Sequence, residues 1–150
     1  MPKISALGLD IGNKRIGVAG CDGTGLIATG ITTIKRSSFR QDVAQLQELV
    51  QQREVQTLVV GLPYSMKGEL GSQAQKVQKF ALQLSETLDL PVEFEDERLS
   101  SIEAEELMRS QKQSPMENKA LIDRKAAALI LQRWLDKRRA KKRSDKNGID

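Results

Sequence analysis

The sequence predicts an α/β fold: a mixed five-stranded sheet, three antiparallel strands followed by parallel ones, with helices on both faces. Three observations carry this. Three short apolar segments crowd into the first 34 residues, with only turn-length connections between them. After residue 38 the apolar spacing changes to a helical period, and helix and strand patterns then alternate. Val55 to Leu62 is apolar without alternation, as a strand covered on both faces reads.

The elements follow in order. Ile4 to Leu9 reads as the first strand, with Asp10 at its end and turn chemistry in Gly12-Asn13-Lys14. Arg15 to Cys21 and Leu26 to Ile34 read as the second and third strands, separated by the turn Asp22-Gly23-Thr24-Gly25. Phe39, Val43, Leu46 and Val50 stand at helical spacing. The fourth strand, Val55 to Leu62, is stopped by Pro63, and a loop runs on to Gly71. Val77, Phe80, Ala81, Leu84 and Leu88 form one helical stripe, and Pro91 to Glu95 reads as strand five. Ser100-Ser101-Ile102-Glu103 and Ser114-Pro115-Met116-Glu117 both carry the Ser-x-x-Glu capping pattern, so two helices are expected to close the fold. The last is expected to run to about Arg138, with Ile122, Ala126, Leu129, Ile130 and Arg133/Trp134 on its inner stripe.

Composition excludes much chemistry. The 150 residues contain no histidine, which removes histidine bases, histidine metal sites and Ser-His or Cys-His nucleophile pairs. A single cysteine, Cys21, removes disulfides and thiolate clusters within the chain. Five aromatic residues are too few for a base-stacking platform. No apolar run approaches the roughly 20 residues of a membrane span. No export signal is read at the N-terminus, and a cytoplasmic location is expected.

Charge is unevenly placed. The net charge is +4, yet residues 1–135 carry 17 groups of each sign. The excess lies in the last fifteen residues, which hold seven Lys and Arg against three Asp. The expected division is therefore a folded body over 1–138 and a basic, disordered tail over 139–150 that could meet an anionic partner.

Without histidine, acid, base and metal chemistry falls to carboxylates. Ligands of open α/β sheets gather at the carboxyl ends of the strands. Asp10 ends strand one, Asp96 and Glu97 follow strand five, and Asp123 stands early in the closing helix. Strand alternation alone leaves Asp96 and Glu97 open. Three convergent carboxylates repel one another unless a hard cation joins them. Mg²⁺ suits such oxygen donors, and two ions could clamp the attacking and leaving oxygens of a displacement at phosphorus. Lys14, Arg15 and Arg98 lie beside these acids and could hold phosphates.

These residues carry a resemblance. Leu9-Asp10-Ile11-Gly12-Asn13-Lys14-Arg15-Ile16-Gly17-Val18-Ala19 resembles the first motif of the YqgF family of pre-16S rRNA nucleases, relatives of Holliday junction resolvases. Val59-Val60-Gly61-Leu62-Pro63 with Met66, Gly68 and Gly71 is similar to the second. Asp96-Glu97-Arg98-Leu99-Ser100-Ser101 resembles the third, and Ile122-Asp123 with Ala126-Ala127 and Ile130-Leu131 the fourth. The resemblance covers about residues 4–137. It implies a ribonuclease-H-like fold and an Mg²⁺- or Mn²⁺-dependent endonuclease, with two ions held by Asp10, Glu97 and Asp123. It thereby selects Glu97 over Asp96. Lys14, Arg15 and Arg98 would position the strand, and the loop Pro63–Gly71 would line the groove. The implied substrate is precursor 16S rRNA, cut near its 5′ end, with ribosomal particles as partners. Arg124-Lys125 stands where the family often has smaller or apolar residues, which bears on the groove's charge and its substrate preference.

Three other functions are weighed against this one. A Holliday junction resolvase would favour a homodimer over a monomer, and no surface in the sequence marks one. An RNA-binding ribosome-assembly factor would bind without cutting. An ATPase of the actin and sugar-kinase type shares the Leu9-Asp10-Ile11-Gly12 pattern, but needs two such domains, and 150 residues supply one.

Overall fold

A computed structural model describes residues 3–63, 71–96 and 115–147, with side chains in the last segment described from Lys119 to Lys142. The elements are β1 (Ala6–Ile11), β2 (Arg15–Cys21), β3 (Ala28–Lys35), α1 (Phe39–Arg53), β4 (Thr57–Leu62), α2 (Ser72–Leu88), β5 (Val92–Asp96) and α3 (Pro115–Asn147). The strands form one sheet in the order β3-β2-β1-β4-β5. β1 pairs antiparallel with β2, and β2 with β3; β1 pairs parallel with β4, and β4 with β5. The expected mixed sheet is therefore present, with strand ends displaced by one or two residues. The proposed capped helix at Ser100 lies outside the described residues.

Alternation along the strands builds two cores. Leu7, Leu9, Ile16, Val18, Leu58 and Val60 face α1 and α2. Ala6, Ala19 and Val59 face α3. β4 contributes to both, which is why its sequence does not alternate.

The turns explain the meander. Gly12 N–H donates to the Arg15 carbonyl at 2.9 Å and closes the β1–β2 turn. In the β2–β3 turn the Asp22 carboxylate accepts from the backbone N–H of Ile27 (2.9 Å) and Leu26 (3.0 Å) and from the Thr24 hydroxyl. Gly25 takes a φ of 73° there, a left-handed conformation that glycine adopts without strain. The bonds from Ile27, Thr24 and Leu26 stabilise the charged carboxylate and lower its pKa from 3.8 to about 2. A depressed folded-state pKa means that the stabilisation is full above pH 3.8 and is lost as pH falls through about 2. The gap in urea midpoint between the wild type and Asp22→Asn is accordingly expected to narrow between pH 4 and pH 2. A gap that stays constant over that range would remove Asp22 from the acid response.

α3 lies close against the sheet because glycines make room for it. A Cβ on Gly8 of β1 would stand 2.7 Å from the Leu131 Cβ and 2.8 Å from the Ala127 carbonyl oxygen. One on Gly17 of β2 would strike the Asp123 backbone carbonyl, and one on Gly30 of β3 would lie 3.0 Å from the Arg124 Cβ. The inner face of α3 is accordingly Ala126, Ala127, Ile130, Leu131 and Leu135, while Ile122 and Leu129 are only half-buried. This corrects the expected stripe by about one position. The difference is that Ala127, Leu131 and Leu135 turn toward the sheet where Leu129 and Arg133/Trp134 were expected.

The helix also continues past residue 138 to Asn147, where irregular chain was expected from Ala140. Ala, Lys and Arg are strong helix formers, and extending an anchored helix avoids the cost of a new nucleus. Arg139 fastens this part to the β2–β3 turn, donating to the carbonyls of Gly25 (3.1 Å) and Leu26 (3.0 Å) and pairing with Asp136 at 2.5 Å. Among the described residues, no helix is long and apolar enough to cross a membrane.

Candidate active site

The parallel strands β1, β4 and β5 all end at one edge of the sheet, at Ile11, Leu62 and Asp96. Asp10 is the next-to-last residue of β1. By alternation it shares a face with Ala6 and Gly8, the face covered by α3. Its cross-strand partner is Gly17, and the Asp123 backbone sits directly on Gly17. One sheet position with no side chain thus lets the Asp123 backbone pack on the strand residue that pairs with Asp10. Both carboxylates are half-buried.

Asp96 ends β5 on the other face. It shares parity with Val92 and Phe94, which pack toward α1 and α2. Its backbone carbonyl accepts a bond from Arg133 at 2.9 Å. Glu97 and Arg98, the remaining sequence-derived candidates at this edge, lie outside the described residues. Most of the Pro63–Gly71 loop does too. Among the described residues, no group of three or more Asp, Glu, Cys or His lies close enough to share a metal.

The basic candidates behave differently from one another. Arg15 Nε lies 2.5 Å from Asp123 Oδ2, with the arginine 36% and the aspartate 18% exposed. This partner of Asp123 is 108 residues away in sequence, on β2. Lys14 lines an open cavity of about 420 Å³ with Asn13, Thr33, Lys35 and Arg36.

Sequence reasoning missed Arg36. Its backbone N–H pairs with the Lys14 carbonyl (2.9 Å), and its Nη1 donates to the Gly12 carbonyl (2.7 Å). Its guanidinium stands 4.4 Å from the Phe80 ring centroid, and Phe80 meets Phe39 edge-on at 5.7 Å. The cation is therefore fixed beside the β1–β2 turn. With Asn13 of that turn and Lys76 and Lys79 of α2, it lines a second cavity of about 330 Å³. The signal was present: a third meander strand must bring its end back beside the first turn.

The architecture is that of the RuvC-type resolvases, a ribonuclease-H-like fold. Thermus thermophilus RuvC, solved with a Holliday junction substrate, matches over 90% of this chain and 96% of its own, with a TM-score of 0.57 at 17% identity. The Fowlpox virus resolvase, solved with Holliday junction DNA, matches over 89% and 98%, with a TM-score of 0.53 at 12% identity. At such identities the likeness concerns the fold.

Within that fold class the chain belongs to the RuvX family, described as "Holliday junction resolvase", which matches residues 4–137. It is 67% identical over 140 residues to a protein of Crocosphaera subtropica named "Putative pre-16S rRNA nuclease", covering 93% of this chain and 98% of that protein. A protein of the same name from Acaryochloris marina is 65% identical over 138 residues, covering 92% and 96%.

Proposed function

We propose that this protein is a divalent-metal-dependent endonuclease that trims precursor 16S rRNA near its 5′ end. The observation that carries the reading is that the Asp123 backbone packs on Gly17, the cross-strand partner of Asp10, at the carboxyl edge of the sheet. The names of the close relatives support precursor 16S rRNA as the substrate. Asp10 and Asp123 offer only hard oxygen donors, a set that fits Mg²⁺ or Mn²⁺, and Glu97 would complete it. When bound, such ions polarise the phosphodiester and make water a nucleophile near neutral pH.

The chain's own residues do the rest. Lys14, Arg36 and the α2 lysines 76 and 79 would hold strand phosphates on either side of the β1–β2 turn. Arg15 would neutralise the Asp123 carboxylate until a cation takes its place. Products with 5′-phosphate and 3′-hydroxyl ends are expected. A second reading, resolution of Holliday junctions, rests on the family description and the shared fold.

The test is cleavage of precursor 16S rRNA and of a four-way DNA junction in Mg²⁺ or Mn²⁺, with and without chelator, beside Asp10→Asn. Cutting of the RNA alone, abolished by chelator and by the substitution, is the expected result. Preference for the junction would move the protein to recombination. Cleavage that survives Asp10→Asn undiminished would sink the carboxylate mechanism.

A further inference from the structure

A second groove lies along the outer edge of the sheet, between β5 and the C-terminal half of α3. It encloses about 400 Å³ and is lined by Glu93 and Glu95 of β5 and by Trp134, Lys137, Arg138, Lys141 and Lys142 of α3. The helical residues stand at i, i+3, i+4, i+7 and i+8, so they share one face. The groove has its own internal order. Glu95 is buried and pairs with Lys137 at 2.8 Å. Trp134 packs one side against the core beneath α3, and the Arg138 guanidinium lies over the ring, 5.5 Å from its centroid. Lys141 and Lys142 are exposed.

We propose that this groove is an auxiliary binding site for single-stranded nucleic acid. Its role beside cleavage rests on the nuclease reading; its binding chemistry does not. The Arg138–Trp134 stack offers a planar surface to one nucleobase, as guanidinium planes and aromatic rings do in single-strand recognition. One stacked pair holds one base, which agrees with the scarcity of aromatic residues elsewhere. Lys141 and Lys142 supply phosphate contacts on the helix side. Glu93, exposed on the opposite rim, repels phosphate and so orients the backbone toward the lysines. A duplex keeps its bases stacked and cannot offer one.

The groove also lies in the right place. From Asp123 to Trp134 is 11 residues of helix, about 16 Å at 1.5 Å per residue. That distance corresponds to roughly five stacked nucleotides at 3.4 Å each. A strand leaving the carboxylates along α3 would reach the groove after about that length.

Trp134 is the only tryptophan in the chain, so its emission reports on this groove alone. The experiment titrates the full chain in chelator with a ten-nucleotide uridylate RNA, the matching thymidylate DNA and an RNA duplex. Emission of Trp134 and anisotropy of labelled oligonucleotide are read together. Saturable change in emission with the single strands, tracking anisotropy, is expected; a preference for RNA or equal binding of DNA separates the two sources of this chemistry. Lys141→Ala/Lys142→Ala should weaken binding about 10-fold and reduce the salt slope by roughly 1.4, at about 0.7 per lost phosphate contact. Glu93→Gln should tighten binding. Oligonucleotide that binds without altering Trp134 emission, duplex that binds as well as single strand, or a double variant with unchanged affinity and salt slope would each overturn the proposal. Metal-dependent cleavage of the same samples tests the nuclease reading separately.

Discussion

Gly17→Ala is expected to lower stability by about 3 kcal/mol, near the upper end for overpacking. For a chain of this size that corresponds to a fall of roughly 10 °C in melting temperature. The cause is local. The added methyl would strike the backbone carbonyl of Asp123, and a carbonyl inside a helix cannot rotate away without breaking the helix ladder. Relief must come from lifting α3 off β2. Activity should therefore fall by more than the unfolded fraction explains, because lifting the helix moves Asp123 away from Asp10. Gly71→Ala is the control. It meets nothing within 4 Å, and as a cap substitution it should cost under about 1 kcal/mol. Differential scanning calorimetry and single-turnover cleavage of the folded fraction check both. Equal melting temperatures for Gly17→Ala and Gly71→Ala would remove the close approach from the account.

That glycine also explains what the sequence could and could not convey. The strands were readable because apolar alternation and turn residues are local signals. β4 was placed at the interior because Val59 had to be buried as well as Leu58 and Val60. Asp10 was singled out as a candidate by its place at a strand end. The packing of α3 was not readable, because it is decided by side chains that are absent. Gly8, Gly17 and Gly30 carry no hydrophobic signal, yet they set where the helix crosses three strands. The partner of Asp123 was missed for a related reason: helical spacing suggests neighbours three or four residues away, and Arg15 arrives from another strand. Charge counting also does not show which cations near residue 138 already have partners. Lys137 is paired with Glu95, Arg138 lies over Trp134 and Arg139 is tied to Asp136.

Asp123→Asn and Arg15→Ala should act in opposite senses on the metal, although they break the same ion pair. The pair is half-exposed, so its own contribution to stability is small, on the order of 1 kcal/mol or less. Neither variant should unfold the protein. On the proposed mechanism Asp123 is a metal ligand. Its loss should reduce cleavage by more than the roughly 100-fold that removing an outer-sphere partner costs, and added Mg²⁺ should not restore it. Arg15 is a competitor in the same place, since its guanidinium already neutralises the carboxylate that a cation would approach. Removing it leaves Asp123 more negative and less engaged. Half-maximal Mg²⁺ should then fall about fivefold, the equivalent of about 1 kcal/mol, while the KM for RNA rises because a cation near the strand is gone. A titration of cleavage rate against Mg²⁺ for both variants separates these effects. If Arg15→Ala instead requires more Mg²⁺, the arginine orients Asp123 for the ion rather than competing with it. The 2.5 Å contact would then be a support of the site.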